Sequence, residues 1–196
     1  MFYAVTQGVR NSWESHNKSD STLYPDAFFL GDADKVLCEK LINAGPDHGK
    51  FLRQLPIIID FTGPEYFLKE FDTYKVGTAR NSTSMMHTLG REEFQVDMFS
   101  GEDLDPLALK DIVLVLNARR SEWIEAKRRK GPEAQAWRAM IQSVPQSWNY
   151  RSLWSGNYQV LRNMYFGRRN HRLREWRQFC DMIINDLPYK EFIINA

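Results

Sequence analysis

The sequence predicts an α+β fold. Candidate strands fall early and in the middle of the chain, helical patterns dominate late, and the two lack the regular alternation of a doubly wound sheet. At 196 residues, 43% hydrophobic and 13% aromatic, the chain is large and apolar enough to bury a sizeable core. No internal repeat, low-complexity tract or linker interrupts it, so a single domain spanning residues 1–196 is expected.

Taken in order, MFYAVTQ is short, apolar and aromatic and reads as a first strand. NSWESHNKSDSTLYPDA is polar and irregular, a loop. In DADKVLCEKLINAG, Val36, Leu37, Leu41 and Ile42 recur at helical spacing, Asp32 or Asp34 supplies the cap, and Gly45 the stop. LPIIIDFT is a β-branched run of strand length. GPEYFLKEFDTYKV carries Pro64 in its first turn and aromatics at 67, 71 and 74, a helical period. EEFQVDMF alternates like a strand. A long helix enters at Asp105-Pro106 and ends at Gly131-Pro132, which turns it into a second helix, PEAQAWRAMIQSV, stopped by Pro145. YRSLWS is extended, and Asn157 then caps a final helix running to about Asp186.

Charge and motifs exclude several classes of function. With 26 basic and 25 acidic residues the net charge is +1, which weighs against a polyanion binder. The distribution is less even: six arginines lie between Arg162 and Arg177, with His171 among them. Cys38 and Cys180 show neither metal spacing nor a disulfide framework, as in a reducing compartment. No apolar run reaches membrane-spanning length, and a soluble, cytoplasmic protein is expected. There is no glycine-rich dinucleotide fingerprint, P-loop, HExxH or nucleophile elbow. The four histidines, at 16, 48, 87 and 171, are too scattered to suggest a metal site.

Two features remain. YKVGTARNSTSMMHTLGREE holds Asn81, Ser84 and other small polar residues, with scarcely a large aliphatic side chain before Leu89. That composition suits either a surface turn or a cradle where backbone approaches phosphate. RNMYFGRRNHRLREWR is either a solvated basic face or part of a site. Gly167 within it argues for a close approach, because an interior glycine weakens a helix by about 0.8–1 kcal/mol.

Together these pieces resemble the flavin-dependent thymidylate synthase family. His48 precedes LPIIIDFT, the helix GPEYFLKEFDTY follows, and the family signature RHRxxSxNxxSxR falls on YKVGTARNSTSMM, with Asn81 and Ser84 as its Asn and second Ser. Downstream, VPQSWNYRSLWSGNYQVLRNMYFGRR keeps Pro145, Trp154, Asn157, Asn163 and Arg168 at the family spacing without a gap. The likeness spans roughly residues 48–195. It also departs from the family. Tyr74-Lys75-Val76 stands where the family has Arg-His-Arg, or Thr73-Tyr74-Lys75 in a register shifted by one. Ala79 replaces the first signature Ser, Ser82 a Glu, Met86 the closing Arg and Gln159 the arginine between the two asparagines. Ile141 replaces a further arginine, with Arg138 one turn earlier as its substitute.

The resemblance implies a central, mainly antiparallel sheet with long helices, and a homotetramer whose active sites form between subunits. It implies FAD bound by His48, Lys75, Asn81, Asn157 and Asn163, and a pyrimidine nucleotide of the dUMP type held by Ser82, Ser84, Arg138 and Arg168. Arg168 would be catalytic, polarising a pyrimidine carbonyl, with NADPH and methylenetetrahydrofolate as co-substrates of a methyl or one-carbon transfer. No metal is implied. The replaced arginines imply an altered substrate or reaction. A catalytically silent relative with a structural or binding role, and nucleic-acid binding through the basic helices, stay open as alternatives.

Overall fold

The computed structural model describes residues 1–195. The chain begins with α1 (Phe2–Gly8), two 3₁₀ turns and the short strands β1 (Thr22–Leu23) and β2 (Phe28–Phe29). It continues through α2 (Asp32–Asn43), a 3₁₀ turn at Gly49–Gln54, β3 (Pro56–Pro64), α3 (Glu65–Phe71), β4 (Ala79–Ser82) and α4 (Met85–Thr88). A 3₁₀ turn at Val96–Met98 precedes α5 (Pro106–Arg128), α6 (Glu133–Ser143) and β5 (Asn149–Asn157). The chain closes with α7 (Tyr158–Arg168), α8 (Arg174–Asp186) and α9 (Glu191–Ile194). β1 and β2 pair antiparallel, Thr22 opposite Phe29, and the larger sheet runs β3-β5-β4. The fold is mixed α+β, with antiparallel sheets and long helices.

Two compact units can be distinguished. The first comprises Met1–Ile59, Tyr74–Ala79 and the described residues from Trp154 onward. Its core is built on α7, which packs against α8, α9 and the turn at Gly49–Gln54. Leu161 and Met164 on α7, Trp176 and Ile183 on α8, and Ile193 on α9 are fully buried. MFYAVTQ, expected as a strand, is α1. Val5 and Thr6 are buried on one side of it, the Thr6 hydroxyl bonds back to the Phe2 carbonyl at 2.8 Å, and Phe2 meets the rings of Phe28, Tyr158 and Tyr189. That packing outweighs the strand preference of its aromatic and β-branched residues.

The cap expected from Asp32 or Asp34 is supplied by neither. The Asp20 carboxylate, from the preceding loop, accepts from the backbone N–H of Ala33 at 2.9 Å and of Asp34 at 3.1 Å. Asp34 is instead fully buried and ion-paired with Arg10, and it accepts from the Ser19 hydroxyl and the Ser21 N–H. Burial alone would raise its pKa, but these hydrogen bonds and the adjacent guanidinium hold it below the usual carboxylate value. The single final helix expected from Asn157 to Asp186 is also two, α7 and α8, broken at residues 169–173. A continuous helix would set Arg172 three and four positions from Arg169 and Arg168, where like charges repel. At the break Arg177 donates to the carbonyls of His171 (2.7 Å) and Arg172 (2.9 Å), satisfying groups that a corner exposes.

The second unit comprises Asp60–Thr73 and Arg80–Leu153. α5 packs on α6 around a core of Leu89, Phe94, Phe99, Leu109, Leu116 and Met140. As expected, Asp105 caps α5, accepting from Leu107 N–H at 2.7 Å, with Pro106 as its first residue. EEFQVDMF is not a strand. The Asn117 side chain takes both backbone groups of Phe94, at 2.8 and 3.0 Å, where a neighbouring strand would otherwise be needed. Phe94 and Phe99 then turn inward, five residues apart, while Val96 is exposed. The helix read through GPEYFLKEFDTYKV stops at Phe71, with Pro64 as its N-cap residue; Phe67, Leu68 and Phe71 bury its apolar face and Tyr74 lies beyond it.

Candidate functional site

Gly77 has φ +71°, in the left-handed region that glycine enters without strain. The Thr78 hydroxyl donates to the Tyr74 carbonyl at 2.8 Å, so residues 74–78 form a closed turn rather than more helix. This turn belongs to the first unit, as does α7, and the two meet at two points. A Cβ built on Gly77 would lie 3.4 Å from Asn157 Nδ2, and one built on Gly167 would lie 3.1 Å from the Tyr74 hydroxyl. Gly167 is thus the close approach that an interior glycine suggests.

Arg168 stands at this second point. Its Nε donates to the Tyr74 hydroxyl at 3.1 Å. The guanidinium carbon lies 5.6 Å from the Tyr74 ring centre and 5.0 Å from that of Trp176. Those two rings are 5.8 Å apart at 66°, and His171 packs edge-on to Trp176 at 6.4 Å. Two aromatic rings and a directed hydrogen bond thus help to hold the cation. Arg169, the next residue, turns to Tyr165 and Phe166, at 5.6 and 5.1 Å.

The other residues expected at the site are distributed as follows. Asn157 caps α7, its Oδ1 accepting from Val160 N–H at 3.1 Å, as the sequence predicts. Asn163 is exposed on α7, and its Oδ1 accepts from Gln159 at 3.0 Å. Lys75 is exposed on the Tyr74 turn, and His48, also exposed, precedes the turn at Gly49–Gln54. Asn81, Ser82, Ser84 and Arg138 belong to the second unit. The stretch 77–84, expected as a small polar loop, includes the strand β4, on which Asn81 is exposed while Arg80 and Ser82 are half-buried. Alternation along a strand puts Asn81 on the face opposite theirs. Ser84 is the N-cap residue of α4, and its carbonyl accepts from the Thr88 hydroxyl at 2.9 Å. Arg138 lines an opening of about 720 Å³ together with Trp123 and Trp137.

Arg80, the arginine inside the polar stretch, is bound as a fork to Asp72 at 2.8 and 2.6 Å, with a further bond to the Ser152 hydroxyl at 3.2 Å. The hydrogen bond to Asp72 raises its pKa and keeps it charged. Sequence reasoning missed Tyr74 and Trp176 as the partners of Arg168. Tyr74 reads as the last aromatic of a helix, and Trp176 follows a break that no glycine or proline marks. The signal present was Gly167, which suggests a close approach to α7.

No family model and no curated protein sequence matches the chain. Solved structures do. Thymidylate synthase X (ThyX) from Helicobacter pylori, with FAD and dUMP, superposes with a TM-score of 0.72 at 19% identity, covering 96% of this chain and 89% of that one. A second structure, flavin-dependent thymidylate synthase ThyX from Helicobacter pylori complexed with FAD and dUMP, gives 0.69 at 19% identity, covering 96% and 90%. At this identity the likeness is one of fold, over nearly the whole of both chains. The chain has, in strongly diverged sequence, the fold of flavin-dependent thymidylate synthase.

Proposed function

We propose that the chain is a flavin-dependent transferase acting on a pyrimidine nucleotide of the dUMP type, with a substrate or reaction altered from thymidylate synthesis. The observation that carries the reading is Arg168, a cation held in one orientation by Tyr74 and Trp176 at the C-terminal end of α7. A guanidinium placed in advance can stabilise charge developing on a pyrimidine carbonyl without reorganising during the reaction. At the other end of α7 the residues suit a flavin: exposed Gly77 has no side chain, and the Asn157 amide beside it adds polar groups for the edge of a ring system. In this reading FAD is held by His48, Lys75, Asn81, Asn157 and Asn163, and the nucleotide by Ser82, Ser84, Arg138 and Arg168. Bound flavin supplies hydride chemistry, with NADPH as reductant and methylenetetrahydrofolate as one-carbon donor. Lys75 brings charge to the phosphates, and Asn157 orients the ring while its own oxygen stays on the helix cap.

We also propose that the site is completed between copies of the chain in a homotetramer. The compartment that fits is the cytoplasm, since Cys38 and Cys180 are free and buried. No helix among the described residues is long and apolar enough to cross a membrane. A second reading, a catalytically silent relative, is favoured by Arg80, whose fork serves the Asp72 carboxylate rather than a ligand phosphate. FAD titration followed by absorbance and flavin fluorescence separates the two. The enzyme reading expects saturable uptake that dUMP perturbs. It also expects weaker retention than in proteins with intact signature arginines, each lost charge-assisted bond costing about 1.5–3 kcal/mol. A colourless protein with no uptake would favour the silent reading.

A further inference from the structure

We propose that Tyr74 is the positioning residue of Arg168, and that its phenol, more than its ring, decides how the guanidinium meets a nucleotide. The inference rests on the reading of Arg168 given above. A guanidinium can only donate, so the 3.1 Å contact has Arg168 Nε as donor and the Tyr74 oxygen as acceptor. A phenylalanine would fill the same ring position without that acceptor. Gly167 points to the hydroxyl as well: the atom that a Cβ at 167 would approach to 3.1 Å is the phenolic oxygen, not a ring carbon. A standing helix penalty is thus accepted where the hydroxyl must come close to α7.

Trp176 and the Nε bond divide the work. Trp176 is fully buried and faces the guanidinium carbon at 5.0 Å, a rigid wall that holds the cation without choosing its rotation. The hydrogen bond from Nε chooses the rotation, because it ties one edge of the planar group to a fixed point. The Tyr74 carbonyl accepts from Thr78, and Gly77 completes the turn beside Asn157, so the phenol is delivered by a closed turn. A fork with fixed plane and rotation suits a flat acceptor edge, such as the carbonyl side of a pyrimidine ring, better than a freely rotating phosphate.

The test uses the full chain with ¹⁵N-labelled arginine. The Nε–H signal of Arg168, assigned by its loss in Arg168→Lys, is expected to be protected from exchange. Tyr74→Phe should lower that protection about 10-fold and raise the dissociation constant for dUMP, measured with FAD present, by about 10-fold, with circular dichroism unchanged. Gly167→Ala pushes on the hydroxyl while leaving the ring in place and should act in the same direction, which covers the case of a Tyr74 variant that folds poorly. Arg169→Ala should change neither readout. If the wild type binds dUMP and Tyr74→Phe leaves both protection and affinity unchanged, the positioning role is overturned and the proposed function stands. If the wild type binds no dUMP with or without FAD, the proposed function itself fails, and the role assigned to Tyr74 with it.

Discussion

Arg168 and Arg169 are adjacent and chemically identical, yet their surroundings differ because successive side chains on a helix point about 100° apart. One is held by Tyr74 and Trp176, the other lies over Tyr165 and Phe166. Arg168→Ala is therefore expected to weaken nucleotide binding by about 1.5–3 kcal/mol, the worth of a hydrogen bond to a charged group. Arg169→Ala should stay within about 0.5 kcal/mol, as for an ordinary surface change. Arg168→Lys keeps the charge but has no Nε to give Tyr74, so it should impair binding while preserving the melting temperature. Isothermal titration with dUMP on the three variants measures this. Equal, mild effects at both positions would leave only a solvated basic face.

At the scale of the element, Asn157 has two claims on it. It caps α7, accepting from Val160 N–H, and it lies beside Gly77 at the proposed flavin surface. The claims separate because serine caps about as well as asparagine, whereas alanine does not cap. Asn157→Ala should cost about 1 kcal/mol of stability by urea unfolding. Asn157→Ser should keep that stability, so any loss of FAD affinity in this variant reports the amide alone. Unchanged FAD affinity in the serine variant would reduce Asn157 to a cap. The α7–α8 corner follows a similar logic, since Arg177 is spent on the carbonyls of His171 and Arg172 and is part of the scaffold.

Asp34 gives the whole molecule a built-in acid sensitivity. Asp34 is depressed below its ordinary value of 3.8 in the folded chain, so the unfolded chain binds its proton more readily. The stabilisation is present above about pH 3.8 and is lost as pH falls through the lower folded value. Melting temperature should thus drop below pH 4, and Asp34→Asn should flatten that drop. The same variant should cost about 3–5 kcal/mol at neutral pH, because Arg10 would be left buried without its counter-charge. The proposed self-association is the second expectation at this scale. Leu107, Leu114 and Val115 are exposed on α5 at positions that share a helical stripe, an apolar face that a further copy of the chain can cover. Light scattering after size exclusion should give a tetramer, and a monomer at micromolar concentration would defeat a site shared between subunits.

The sequence by itself determined the elements whose signals are local. α2, α5, α6, β3 and β5 form where apolar period, proline and glycine mark them, and the Asn157 and Asp105 caps act within three residues of themselves. Even the resemblance to flavin-dependent thymidylate synthase was legible, because the spacing from Pro145 to Arg168 is unbroken. Only the tertiary structure decided α1, the Val96 turn and the break before α8. In the first two cases short-range preference yields to a distant group, the rings around Phe2 and the Asn117 amide; at the break Arg177 holds the nearby carbonyls of His171 and Arg172, a contact that no glycine or proline announces. The same holds for the site. Tyr74 reaches Arg168 across 94 positions of sequence, and such a contact follows from where two surfaces pack, which no local pattern encodes.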